Sequence, residues 1–553
     1  MTDETDVYCG IDLGTTYSAI AYVDETARPT MVRSLMESEE TTPSVVYFES
    51  GSDVVVGRTA KEYARVYPDR VVSLVKRSMG QERHWIVDDV EHTPESISAL
   101  ILKQLVQDAR AHTGREVRKV VITVPAYFGM LERDATRKAG EIAGLDVIGI
   151  VPEPVAAALQ YEVATGAERT VLVYDLGGGT FDTTVIRITS DAIEVLCTDG
   201  DQQLGGADWD ARLVRYLLGE FTARAGVDED LAEDDQFMQE LVNTAENAKK
   251  RLSQSRSAPI PLRAGGVPVT VELTREIFEE QTRDLLDRTI EYTKRTLVKL
   301  AEKAPGVTVD EVLLVGGSTK MPAVAERLRA EFGWEPRLHD PDLAVAKGAA
   351  RFALNRSVWE WDTTKGAPAQ TPAQREERIA DLARRTGLSA ETIASVAGKR
   401  ITNVLPKAFG VKLVDTAVPR WADDVEAASY INHMVHADEA LPRTARLDSS
   451  TIVPNQTEVL IELYEQAGSE ESRDLAANKA VDHGSGLISG LPPMPVGSPL
   501  DIAMTVDDEG LLTVTAVEPS TGKDLTIEVR VSVLSQAEVD QAKRTVAAIS
   551  VRG

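Results

Sequence analysis

Cysteine, positive charge and long apolar runs are all scarce in this chain of 553 residues. Its two cysteines, Cys9 and Cys197, both sit in strand-like runs. That argues against a disulfide framework and favours a reducing compartment; the thiols read as small buried residues. Lys and Arg number 60 against 88 Asp and Glu, for a formal charge of −28. Extended binding to nucleic acid or to an anionic membrane needs a basic face, so neither is expected as a partner. No apolar run approaches the roughly 18 residues that would span a bilayer. The first residues, MTDETD, are too acidic and polar for a secretory signal. The expected location is the cytoplasm. What remains, 43% hydrophobic and 27% charged residues, is a globular composition, long enough for three or four domains.

The chain is organised around Val171 to Asp182, VLVYDLGGGTFD. Val171 to Tyr174 suit a buried strand. Gly177, Gly178 and Gly179 allow a tight turn that brings bare N–H groups close to an anion. Asp175 and Asp182 flank that turn, and carboxylates beside a phosphate cradle make sense with a hard divalent cation between them. Alone, this would be an ordinary glycine-rich turn with two acids. It recurs, however, at Tyr8 to Thr16, YCGIDLGTT, where a strand runs into Asp12, Leu13, Gly14 and two hydroxyls. A third glycine turn leaves a strand at Val312 to Thr319, VLLVGGST. Repeated strand–Asp–Leu–Gly turns suggest two similar lobes, each aiming a phosphate-binding hairpin at one cleft.

Strand and helix patterns alternate through the first part of the chain: a strand over 117–124, helices over 131–143 and 154–163, acidic helices over 210–255, and a hairpin around Gly265 and Gly266 before long helices to about Ala304. That order implies an α/β fold of two lobes. Trp359 to Gln374 reads as a linker, followed by a helix that Thr371 caps and Pro372 starts, and a second that Leu388-Ser389 opens. From about Val404 the period becomes two. Val459, Ile461 and Leu463, then Ile502, Met504 and Val506, then Leu512, Val514 and Ala516, and Leu525 to Val533 alternate between turns at 508–510 and 520–522. Such alternation predicts an antiparallel β-sandwich. Ser535 and Glu538 form a capping box for a final helix.

Together these residues resemble the heat shock protein 70 (DnaK-type) molecular chaperones, whose nucleotide domain has the actin and sugar-kinase fold. The resemblance rests on GIDLGTT (10–16), TTPS (41–44), VPAYF (124–128), IAGL (142–145), EPVAAAL (153–159), YDLGGGTFD (174–182), GDQQLGGADWD (200–210), LVGGSTKMP (314–322) and PDLAVAKGAA (341–350). It implies an actin/sugar-kinase-like, two-lobed α/β ATPase domain over 1–355, a linker with a helical hairpin insert over 356–403, an antiparallel β-sandwich peptide-binding domain over 404–534, and the vestigial start of a lid helix over 535–553, hence a lidless member. It further implies ATP and ADP as nucleotides and Mg2+ as the ion, with K+ a second candidate. Asp12, Lys76, Glu153, Thr180 and Asp182 would be the catalytic set, and Asp12, Asp175 and Asp182 would organise the metal and its waters. Gly14, Thr15, Thr16, Gly177, Gly178 and Gly179 would hold the phosphates, with Gly316, Gly317 and Ser318 on the third turn. Glu246, Lys249, Lys250, Ser253, Lys320 and Asp342 would meet the adenosine. Pro125 and Arg133 look like the family's interdomain switch. Val414, Ile452, Val459 and Ile461 map onto its peptide arch and pocket.

Some positions depart from that pattern. A lysine stands at 250 or 320 where the family has an arginine that stacks on adenine. Ser449 replaces a core phenylalanine, and Gly149 replaces a basic residue that meets J-domain proteins. The linker reads Lys399-Arg400-Ile401-Thr402-Asn403 instead of a run of leucines, so its docking is expected to lose most of the burial term. Within 372–400, Ala383, Gly387, Ile393 and Val396 have helix-turn-helix spacing, but a chain this acidic favours a plain helical hairpin. The expected function is an ATP-dependent chaperone that binds hydrophobic segments of unfolded proteins with an Mg-dependent ATPase. J-domain co-chaperones and nucleotide exchange factors stay open as partners. The alternative is a nucleotide-gated scaffold that hydrolyses weakly and holds one dedicated partner.

Overall fold

The computed structural model describes residues 7–26, 28–165, 168–225, 231–359, 361–362, 367–368, 370–468, 470–517, 529–530 and 533–553. Two six-stranded sheets form around the two Asp-Leu-Gly turns. In the first, Tyr8–Asp12 runs antiparallel to Tyr17–Val23 and parallel to Lys119–Val124, which is parallel to Asp146–Pro152. In the second, Arg169–Leu176 runs antiparallel to Phe181–Ile188 and parallel to Glu311–Val315, with Arg337–Leu338 beyond. The motif repeat is therefore a repeat of topology. The parallel strands are covered on both faces, which is why KVVITV and EVLLV are nearly continuous apolar runs. Helices Glu153–Thr165 and Ala344–Val358 cross between the sheets. They approach so closely that a Cβ on Gly348 would lie 1.7 Å from the Ala156 carbonyl oxygen.

The expected helices are present as Met130–Ile142, Glu153–Thr165, Gly206–Ala225, Asp235–Gln254 and Arg275–Lys303. The expected hairpin pairs Ser257–Ala264 with Val267–Thr274. Beyond the linker, two four-stranded sheets face each other as a sandwich. One orders Ser429–Val435, Phe409–Val414, Val459–Gln466 and Asn478–Ile488; the other orders Arg443–Ser450, Pro499–Val506, Leu512–Val517 and Val529–Arg530. Ile502, Met504 and Val506 point inward and are buried, as the period-two pattern requires. Leu525, Ile527, Val531 and the turn at 520–522 lie outside the described residues.

Three segments differ from the sequence reading or go beyond it. The basic linker docks: Arg400–Thr402 adds a parallel strand to Ala192–Asp201, pairing Ala192 with Arg400 and Ile193 with Ile401. The expectation of weak docking counted side chains, whereas a parallel ladder is made by backbone groups. Ile401 alone turns inward, 8% exposed, while Arg400 stays in water. The insert is a helical hairpin, Pro372–Thr386 and Ala390–Ala397, capped by Thr371 and Ser389. Leu382, Leu388, Ile393 and Ala397 are buried with Phe352 of the crossing helix, and Ala383 and Val396 pack against the same core; of the residues with helix-turn-helix spacing, Gly387 alone is exposed, as the left-handed cap of the first helix. Asn355 Nδ2 donates to the carbonyls of Ala397 and Lys399, at 3.2 and 2.7 Å, and so joins insert, linker and crossing helix. Residues 535–553, expected as the start of a helix, hold a helix, Gln536–Ala548, and then a strand, Ser550–Arg552, that pairs with Asp53–Val56.

The sandwich sits against both lobes. Arg133, 3% exposed, donates to the carbonyls of Phe128, Ala126 and Glu509. Arg356 pairs with Asp508 at 2.7 Å and Arg137 with Glu509. On the second lobe, Thr198 N donates to Asp438 Oδ1 at 3.0 Å. Met130 packs into the sandwich core. Among the described residues no helix is long and apolar enough to cross a membrane.

Candidate active site

Each Asp-Leu-Gly strand ends at the cleft between the lobes, a cavity of about 1510 Å³. The two turns press against each other. A Cβ on Gly178 would lie 2.1 Å from Thr16 Oγ1, and one on Gly179 would lie 2.3 Å from Thr15 Cγ2. Gly316, at φ +82°, brings the third turn against the Leu176 carbonyl. Ser318 Oγ ties that turn to the Gly177 carbonyl at 2.9 Å. The result is a pocket edged by backbone N–H groups and hydroxyls, the donor set that phosphate oxygens need.

Below this cradle lies a charged cluster. Lys76, 4% exposed, donates to Glu153 Oε1 at 2.6 Å. Asp12 accepts from Thr123 Oγ1 at 3.2 Å, and Asp182 from the Tyr127 N–H at 2.9 Å. Burial, and then Glu153, push both Asp12 and Asp182 up to about 7. Asp175 is raised strongly by burial, then by Glu153, Asp182 and Asp12. Oδ2 of Asp175 and Oδ2 of Asp182 have no hydrogen-bond partner. Four carboxylates share one lysine, so the cluster lacks positive charge, and its orphaned oxygens fit a hard cation. Among the described residues no three carboxyl or imidazole side chains converge as direct ligands. That suits Mg2+, which keeps several waters and binds through one or two carboxylates plus substrate phosphates.

Of the predicted ATP-site residues, all but Gly179 and Asp182 line the cleft; Asp182 is 1% exposed behind it. Among the residues expected to meet adenosine, Lys250 donates to Tyr17 Oη at 2.9 Å and pairs with Glu246 at 2.7 Å. Lys61 reaches across the cleft to Glu246. Against the upward push of burial, Lys61 and Lys250 hold Glu246 down to about 2. Lys320 pairs with Asp342 opposite. Lys249 is already committed, to Asp210 at 2.7 Å and the Gly206 carbonyl at 2.9 Å. Sequence reasoning missed Tyr17, Lys61, Gly205 and Gly206. The glycine pair was visible as a fourth turn in GDQQLGGADWD, and Gly206 N–H donates to the Gly177 carbonyl at 2.9 Å.

In the sandwich, Val414, Ile452 and Val459 are half-buried, but Ile461, 4% exposed, belongs to the core. Ser449 Oγ donates to the Leu500 carbonyl at 3.0 Å.

Fold and site define a two-lobed, actin- and sugar-kinase-like ATPase joined to a β-sandwich. A family profile described as Hsp70 protein matches residues 8–355 and 424–550. The chaperone protein DnaK of Thermosipho melanesiensis is 34% identical over 542 residues, covering 96% of this chain and 81% of that protein. The chaperone protein DnaK of Thermotoga neapolitana is 35% identical over 540 residues, covering 95% and 80%. The chain belongs to the Hsp70 family; it is an ATP-dependent chaperone and an ATPase. Membership implies nucleotide as ligand, and unfolded polypeptides and co-chaperones as classes of partner.

Proposed function

We propose that the cleft hydrolyses ATP at the Lys76–Glu153–Asp12–Asp175–Asp182 cluster and that the sandwich holds extended apolar peptide. The observation that carries this reading is the contact of two glycine–hydroxyl turns directly above a buried, cation-poor carboxylate cluster. In it, Gly14, Thr15, Thr16 and Gly177 to Gly179 hold the phosphates, and Thr180 closes the turn. Lys76 orients the attacking water or the γ-phosphate, with Glu153 fixing the ammonium. Mg2+ would supply charge neutralisation for the β- and γ-phosphates, held beside Asp12, Asp175 and Asp182. Phosphoryl transfer needs positioning and charge stabilisation rather than covalent help, and this cast supplies both.

Glu246, Lys250, Ser253, Gly317, Lys320 and Asp342 take the adenosine. Val414, Ile452 and Val459 take the peptide, by backbone bonds and a side-chain pocket. The working division of the chain is an ATPase domain over 1–355, a linker with insert over 356–403 and a sandwich over 404–534, in a cytoplasmic protein. Lys76→Ala and Asp182→Asn should each lower single-turnover hydrolysis by about 10²–10³-fold. ATP affinity should change far less, because both groups act at the reacting phosphate. Unchanged turnover in both variants would overturn the assignment.

A further inference from the structure

We propose that Arg77 is a positioning residue for hydrolysis: it fixes the last peptide unit of the phosphate turn, Gly179–Thr180, against the segment that carries Lys76. Each carbonyl of the glycine turn has its own donor. The Gly206 N–H donates to Gly177 at 2.9 Å and the Ala207 N–H to Gly178 at 2.8 Å. Both donors open the helix Gly206–Ala225, so the second lobe holds these two units by itself. The third differs. The Gly179 carbonyl accepts from Arg77 Nε at 3.0 Å, and Arg77 follows Val75 of the first-lobe core. A planar trans peptide points its N–H opposite to its C=O. Holding the three carbonyls therefore fixes the directions of the N–H groups of Gly178, Gly179 and Thr180, donors of the kind that a phosphate needs.

The guanidinium is itself aimed by a second contact. Its Nη1 and Nη2 donate to Oδ1 and Oδ2 of Asp208 at 3.3 and 2.5 Å, a two-pronged pairing that sets the plane of the fork. Asp208 Oδ2 also accepts from the Gly205 N–H at 2.8 Å. Arg77 and Lys76 share one short helical turn, Val75–Ser78, which Leu74 enters at φ +56°. A leucine persists in that left-handed region only where its surroundings hold it, and Arg77 supplies such a hold from the second lobe. Neither Arg77 nor Gly179 lines the cleft, so Arg77 acts on phosphate through the turn and not by touching it. One side chain thus sets Lys76 and the Thr180 N–H in register across the two lobes. This rests on the proposed place of Lys76 at the reacting phosphate.

The test measures single-turnover ATP hydrolysis, affinity for ATP and Mg·ADP, and thermal melting in the full chain. Arg77→Met keeps the stem and removes the fork. It should slow hydrolysis by about 10²-fold, the scale of a misplaced reacting group, with ADP affinity and melting temperature close to those of the natural chain. Arg77→Lys keeps the charge, but an ammonium cannot hold Gly179 and Asp208 together as the planar fork does, so it should recover little of the rate. Asp208→Asn can still accept from Gly205, but it then turns its amide NH2 toward the guanidinium and should slow hydrolysis in the same way. Full recovery in Arg77→Lys would mean that charge alone matters and would overturn the proposal. So would an equal loss of ATP and ADP affinity with a lower melting temperature, the mark of a merely structural arginine. Lys76→Ala in the same assay separates this role from the site assignment. Slow Lys76→Ala beside normal Arg77→Met would overturn the role of Arg77 alone, whereas unchanged turnover in Lys76→Ala would overturn both.

Discussion

A methyl group on Gly205 would lie 2.5 Å from the backbone nitrogen of Gly179 and 2.6 Å from its carbonyl carbon. No side-chain rotation relieves a clash with backbone, so the phosphate turn itself would have to move. Gly205→Ala should therefore weaken ATP binding by about tenfold or more, a loss of about 1.4 kcal/mol, read by nucleotide titration. Gly219, inside the helix Gly206–Ala225, has nothing within 4 Å of the same position. Gly219→Ala should leave affinity unchanged and stabilise the protein by roughly 0.5–1 kcal/mol, the helix-interior difference between the two residues. If both substitutions behaved alike, the close approach of the turns would not matter to binding.

At the scale of elements, the linker strand separates backbone from side-chain effects. Its ladder to Ala192–Glu194 uses main-chain groups, with Arg400 N–H donating to the Asp191 carbonyl at 2.9 Å. Lys399 Nζ donates to the Thr189 carbonyl at 2.5 Å. Burying a charge at Ile401 is costly without a partner, whereas serines at 399 and 400 leave the ladder intact. Hydrogen exchange should show it: Ile401→Asp should lower amide protection over 400–402 by at least about tenfold, and Lys399→Ser with Arg400→Ser should change it little. Equal loss in both would mean that the basic side chains hold the strand.

Across the whole molecule, buried carboxylates collect where sandwich meets lobes. Burial raises Asp438. Asp507 is pushed up to about 6, first by burial and then by Asp508, although its Oδ1 accepts N–H bonds from Glu509 and Leu511 at 2.9 Å. Between about pH 4 and 6 the folded chain then keeps a proton at Asp507 that the unfolded chain releases, so this group's contribution to stability falls as pH rises. Asp507→Asn retains the acceptor and removes the ionisation. Its melting temperature relative to the natural chain should rise between pH 4 and pH 7, as thermal melts across that range would show. A constant or falling difference would assign the pH response to other groups.

Short-range chemistry was legible in the residues alone: two strand–Asp–Leu–Gly turns became matching sheets, a period-two run became a sandwich, and caps at Thr371 and Ser535 started helices at Pro372 and Gln536. Most predicted ATP-site residues gather at one cleft because they sit in turns at strand ends. Other outcomes needed the fold. Lys249 lies next to Lys250, yet its amine turns away to Asp210, a choice made by helix packing that spacing does not encode. Ile461 has the same alternating pattern as Val459, but the sheet that covers it comes from elsewhere in the chain. The linker docked against its side-chain composition because the edge it meets, Ala192–Glu194, offers backbone groups. The burial of Leu534 to Val551 in the first lobe joins residues almost the whole chain apart. A local pattern does not specify a partner at that distance; only the tertiary structure does.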